Sequence, residues 1–215
     1  MNLLTTSLLL DIVFLTIIFL NFSRKNVQVA YAYGLQSLAI AAIMFKAYLE
    51  TGSQPLLMLV VIIVAIKVIA APIFFVRLVR KHNLAFSVST YMNIPLSLIV
   101  LAALTSLSSS RQLAPLVNLV PANSALLSIA FSGLLLSLFS IVNGKGALSH
   151  IIGVLSLENS IVVFALLAGL EQSVGLQLGI IFDIFTWIVV ATMLASMIYE
   201  HFGSTDVSDM QHLKD

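Results

Sequence analysis

Two acids in this chain stand where acids are costly. Glu158 lies near the middle of the apolar run GVLSLENSIVVFALLAG (153–169) and is followed by Asn159. Asp183 interrupts the next apolar run, Gly175 to Ile198, and Lys67 lies deep inside an earlier one. An ionisable side chain in hydrocarbon marks an ion path or proton relay by default. The chemistry such a set offers is the loading and release of a proton. A low-dielectric setting favours the neutral carboxyl, while a nearby ammonium favours the ionised one. Lysine tolerates burial by giving up its proton and can serve in the same way. It can equally be only a counter-ion to the acids, and both roles stay open. Hydroxyls at Ser156, Ser160 and Thr186, one helical turn or less from the acids, would continue a wire. The competing reading is that these charges pair and pin helices together without moving anything.

Depth along the chain puts the three groups in one layer. Counted from a turn near Gln172, Glu158 lies fourteen residues back and Asp183 eleven forward. At about 1.5 Å per residue these are roughly 21 and 16 Å from the same membrane face. Lys67, twelve residues into its run, is about 18 Å deep. Two further groups are secondary candidates. His150 begins the Glu158 run near a membrane face, where it would serve as a proton entry point. Asp11 interrupts the first run, closer to water if that helix slides.

The elements that must hold these groups are transmembrane helices. Of the 215 residues 60% are hydrophobic and 9% charged, against about 25% charged in a soluble domain. The mean hydropathy is +1.10. Seven apolar runs predict spans at roughly 2–22, 27–49, 55–79, 90–107, 121–142, 147–170 and 174–201, close to the roughly 20 residues a crossing needs. The fourth is the weakest, because Pro95 and a run of serines shorten it, and its loss would leave six. Gly52 and Pro55 open the third span, Pro121 opens the fifth, and Gly144 and Gly146 bracket the turn before the sixth.

The loops fix an expected orientation. Loops one, three and five hold Arg24, Lys25, Arg77, Arg80, Lys81 and Lys145, whereas loops two, four and six hold only Arg111. The positive-inside rule then places the N-terminus outside and the C-terminus in the cytoplasm. The first run has neither a positive n-region nor a convincing cleavage site, so it reads as a retained helix rather than a signal peptide.

Composition excludes other chemistry. The chain has no cysteine, so it offers no disulfide, thiolate metal site or cysteine ligand for an iron–sulfur cluster. Its four histidines lack ligand spacing, no nucleophile or nucleotide motif is visible, and a net charge of +1 gives no reason to expect nucleic acid. No catalytic, metal or cofactor-binding residue is assigned.

Four stretches carry a resemblance: AYAYGLQSLAI (30–40), VAIKVIAAPI (64–73), GVLSLENSIVVFALLAG (153–169) and the tail DVSDMQHLK (206–214). In order and spacing, over nearly the whole chain, they resemble the E membrane component of hydrogenase-4 and related group 4 membrane-bound nickel–iron hydrogenases, formate hydrogenlyase complexes included. The resemblance implies an N-terminal four-helix region (1–110), a three-helix region (111–202) similar to the K subunit of complex I and the C subunit of multisubunit antiporters, and a cytoplasmic tail (203–215). It implies that Glu158 and Asp183 match two membrane acids of a central hydrophilic axis, although complex I typically has glutamate at the second position. Lys67 matches the lysine of the third span.

The implied role is a non-catalytic subunit of a redox-driven proton or sodium pump in a prokaryotic cytoplasmic membrane. The implied partners are antiporter-like membrane subunits, a complex I-like membrane anchor and a peripheral hydrogenase arm carrying the nickel–iron centre and iron–sulfur clusters. A cation/proton antiporter or complex I-like assembly without hydrogenase shares this machinery, and a purely structural scaffold subunit is the third reading.

Overall fold

The computed structural model describes residues 3–23, 25–81, 90–113, 115, 120, 123–145 and 147–169, with 185, 189, 192 and 196 placed singly. The described elements are helices: α1 (Leu3–Phe22), α2 (Asn26–Thr51), α3 (Gln54–Ile63), a π-helical segment (Val64–Ala70), α4 (Ala71–Lys81), α5 (Ile94–Ser108), α6 (Ser124–Asn143) and α7 (Ala147–Leu167). Five stretches are long and apolar enough to cross a membrane, with α3, the π segment and α4 forming one continuous rod, Gln54–Arg80. The chain is therefore an all-helical, multi-pass membrane protein. Among the described residues the only strand-like pairing is an isolated bridge between Thr90 and Gly144.

Punctuation in the sequence sets the ends. Gly52 takes a left-handed φ of 67° and its N–H closes on the Tyr48 carbonyl at 2.8 Å, ending α2. Pro55 then occupies the first turn of α3, where a missing N–H costs nothing. At α5 the Asn93 side chain accepts from the Leu96 N–H at 3.0 Å and Pro95 sits in the first turn. This start leaves α5 with 15 residues, about 22 Å of rise against a hydrocarbon core of about 30 Å. The expected fourth span is thus a short helix. The expected seventh, 174–201, lies outside the described residues.

Helix α2 is the hub. It packs on α1, on all three parts of the rod and on α7, while α6 packs on α7, α1 and α5. Lipid is as apolar as leucine, so close approach and polar pairing must hold such helices together. Close approach is visible at Gly153, where an added Cβ would lie 2.8 Å from Ile141 Cγ1 and 3.3 Å from the Ile141 amide nitrogen. Only a residue without a Cβ lets α6 and α7 meet there.

The apolar core is split in two. One cluster holds Leu10, Val13 and Ile17 of α1, the second half of α2 from Ala39 to Met44, Leu59 to Ile63 of α3, and Val163 to Ala168. The other holds the first half of α2 from Val29 to Tyr33, Ala71 to Val79 of α4, and Leu148 to Leu155 of α7. On each of α2, the rod and α7, buried polar side chains lie between the two clusters: Gln36 and Ser37, Lys67, and Ser156, Asn159 and Ser160. A polar layer crosses the bundle at mid-height.

Candidate functional site

Lys67 is the middle residue of the 27-residue rod Gln54–Arg80. It sits inside the seven-residue π segment VAIKVIA, a widened turn with i→i+5 bonding that recurs at functional sites. Pro72, two residues after the segment, explains the widening. It has no N–H to give a carbonyl one turn back, and its ring crowds the carbonyl of Val68. A local π adjustment relieves such a proline inside a membrane helix, and the Ala71 N–H bonds the Ile66 carbonyl, five residues back. Gly34 of α2 receives the proline, since a Cβ there would stand 3.0 Å from Pro72 Cγ. The ring thus seats against α2 beside the polar layer.

The Lys67 ammonium donates to Glu158 of α7, forming a salt bridge, and to Asn159 Oδ1 at 3.1 Å. Lys67 is 2% exposed and the Glu158 side chain 16%, so the pair is closed on the lysine side and slightly open on the carboxylate side. Asn159 in turn donates its Nδ2 to Ser37 Oγ at 3.0 Å. The chain Glu158–Lys67–Asn159–Ser37 therefore ties the rod, α7 and α2 together in one layer. Glu158 uses only Oε2; its Oε1 is buried and has no hydrogen-bond partner among the described residues. The same holds for Tyr33 Oη and Gln36 Oε1 on α2. Unpaired oxygens of this kind are rare in buried settings and ask for a proton, a water or a partner.

A second polar chain runs alongside. Gln36 Nε2 donates to Ser156 Oγ at 3.0 Å, Ser156 and Ser137 hydroxyls meet at 3.1 Å, and Ser137 and Ser160 at 3.3 Å. Ser160 gives its proton to the Ser156 carbonyl at 3.0 Å. Ser137 must then donate to Ser160, and Ser156 to Ser137. The hydroxyl protons run in one direction and end on the backbone of α7. Ser156 and Ser160, expected to extend a wire from the acid, join Gln36 and Ser137 in a hydroxyl chain that links α2, α6 and α7.

The other candidates fall elsewhere. Asp11 is near the middle of α1 but faces outward, in one stripe with Leu4 (75% exposed), Leu8, Leu15 and Phe19. His150, in the first turn of α7, is half-buried and lies eight residues from Glu158, roughly 12 Å along the helix. Neither joins the Lys67–Glu158 pair. Asp183 and Thr186 lie outside the described residues. Sequence reasoning passed over Tyr33, Gln36, Ser37 and Ser137. A glutamine in mid-run was a usable signal, because an amide is costly in hydrocarbon unless it is hydrogen-bonded. Among the described residues no group of three or more metal-ligating side chains occurs.

No family model and no solved structure matches the chain. It is similar to an uncharacterized protein of Mycobacterium tuberculosis, Rv0085, with 26% identity over 182 residues that make up 84% of this chain and 82% of that one.

Proposed function

We propose that this chain is a non-catalytic integral subunit of a redox-driven ion-pumping complex of the membrane-bound nickel–iron hydrogenase or formate hydrogenlyase type, seated in a prokaryotic cytoplasmic membrane. One observation carries the reading: a buried lysine and a carboxylate pair at mid-height of the bundle, on a π turn, and the second carboxylate oxygen is buried without a hydrogen-bond partner among the described residues. Here a proton can reside on Oε1 while Lys67 holds Oε2, and loss of the lysine contact changes the carboxyl's hold on that proton. Asp183 is the second acid of the proposed path. An ammonium already occupying one side of the carboxylate favours protons over sodium ions as the cargo.

Asp11 supports a role as one subunit among several. A carboxyl on the outer face of an apolar helix is too costly to leave in lipid, and a neighbouring membrane subunit with a donor at the same depth would cover it. Antiporter-like membrane subunits and a complex I-like anchor are the proposed neighbours. The nickel–iron centre and iron–sulfur clusters belong to a peripheral arm, since a chain without cysteine has no usual ligand for them.

The test begins with gentle purification through a tag on this chain and mass spectrometry of what accompanies it. A large subunit with paired-cysteine nickel motifs is expected alongside antiporter-like proteins. Antiporter-like proteins alone would replace the hydrogenase by a cation/proton exchanger. In the complex that assembles, Glu158→Gln, whose amide oxygen still accepts from Lys67, is expected to uncouple ion movement from electron transfer. Normal pumping in the Glu158→Gln, Asp183→Asn double variant would end the relay reading.

A further inference from the structure

On the side of the π segment away from Lys67, a cavity of about 550 Å³ opens between α2 and the rod. Its volume lies within the roughly 300–1,000 Å³ of small-molecule sites. Its walls are apolar and already exposed: Leu35 (50%) and Leu38 (48%) of α2 face Ile69 (52%) and Ile73 (45%). The seating of Pro72 against Gly34 forms its floor. At one end stand Arg77 and Arg80, both exposed and both lining the groove, with Tyr31 across from them on α2. Spaced by three, the arginines share a helix face.

The dimensions match one leaflet. From Lys67 at mid-height, Arg77 is ten residues along, about 15 Å, and Arg80 thirteen, about 20 Å. Half of a hydrocarbon core of about 30 Å is 15 Å, so Arg77 reaches its boundary and Arg80 the headgroup region. A snorkelling arginine needs no groove beneath it. Two guanidinium groups above a leaflet-long apolar channel, flanked by a phenol, form a headgroup-and-chain site. Basic pockets between membrane helices take anionic headgroups on the cytoplasmic side, and guanidinium matches phosphate with paired donors.

We propose that this groove binds one anionic glycerophospholipid, its phosphate on Arg77 and Arg80 and one acyl chain along Leu35, Leu38, Ile69 and Ile73. Charge complementarity selects a lipid over a second apolar helix as the occupant, because a helix would leave both arginines unanswered. The site is independent of the proposed ion path.

Native mass spectrometry of the full-length chain, stripped in mild detergent and titrated with phosphatidylglycerol or phosphatidylcholine, tests it. The intact chain is expected to hold phosphatidylglycerol roughly tenfold to thirtyfold more tightly. The Arg77→Gln, Arg80→Gln double variant is expected to lose that preference and keep weak binding of both lipids. Leu38→Trp, which keeps the arginines and fills the channel, is expected to weaken both, and it stands as the test should the arginine variant fail to insert. Equal binding of the two lipids by the intact chain would overturn the proposal. So would an undiminished preference in the double variant, undiminished binding in Leu38→Trp, or a membrane protein that occupies the groove and excludes the lipid.

Discussion

Removing one member of the Lys67–Glu158 pair should be far more damaging than removing both. With Glu158→Leu, the ammonium keeps only Asn159 Oδ1 at 3.1 Å and stays 2% exposed. Breaking a buried pair in this way destabilises by about 3–5 kcal/mol. Lys67→Met should fall at or below the lower end of that range. The carboxylate left behind is 16% exposed and can neutralise itself by taking a proton, while methionine fills much of the lysine stem's space. The Lys67→Met, Glu158→Leu double variant removes both charges, keeps apolar volume, and should recover most of the loss. The cycle then gives a coupling energy of at least about 2 kcal/mol, inside the range of about 0.5–3 measured for residues in one network. For a chain of this size each kcal/mol moves the melting temperature by about 2–4 °C, so Glu158→Leu should melt about 6–20 °C lower. Heating the detergent-purified variants and following the surviving monodisperse fraction by gel filtration reads all four corners. Additive single effects, with coupling below about 0.5 kcal/mol, would refute the claim that these two residues hold each other.

Three shorter predictions test the frame around the pair. Pro72→Ala supplies the missing N–H and lets the π segment close into regular α bonding, which swings Lys67 away from Glu158; the same cycle run in that background should lose at least half its coupling energy. Gly153→Ala places a Cβ 2.8 Å from Ile141 Cγ1. Such overpacking destabilises by about 1–3 kcal/mol, seen as a melting temperature lowered by about 2–12 °C, and an unchanged value would show that α6 and α7 are not in tight contact there. Asp11→Leu should leave the isolated chain as stable as before, because Asp11 faces outward, and should lower the yield of partner subunits in a pull-down. Destabilisation of the isolated chain would place Asp11 inside the bundle.

Much of the frame was legible because lipid imposes a simple code. Apolar runs marked the helices, and Gly52 and Pro55 marked the turn between the second and third. The depth of Lys67 and Glu158 followed from counting, since a helix rises by a fixed amount per residue. Their pairing across 91 positions did not follow, because equal depth names no neighbours. Which way Asp11 faces was equally hidden. α1 is apolar on nearly every side, and a helix without a polar face gives no rotational clue. The π turn left one trace, Pro72, which fits a kink as well as a widened turn until the Ile66 carbonyl is seen bonded to the Ala71 N–H.

The placement of the lysine on that turn ties the two proposed sites to one element. Within three consecutive residues the rod presents Lys67 to Glu158 on the inside and Val68 and Ile69 to the groove on the outside. Pro72 keeps the turn from closing, and Gly34 lets α2 lie close enough to hold the proline. A regular α-helix in this place would have one bonding register; a π turn between two α segments has a second one within reach, and two-register elements are what packed cores can switch between. A change in the backbone bonding of this one turn would therefore move Lys67 relative to Glu158. On the proposed relay reading, the π turn is the element whose rebonding would release Lys67 from Glu158.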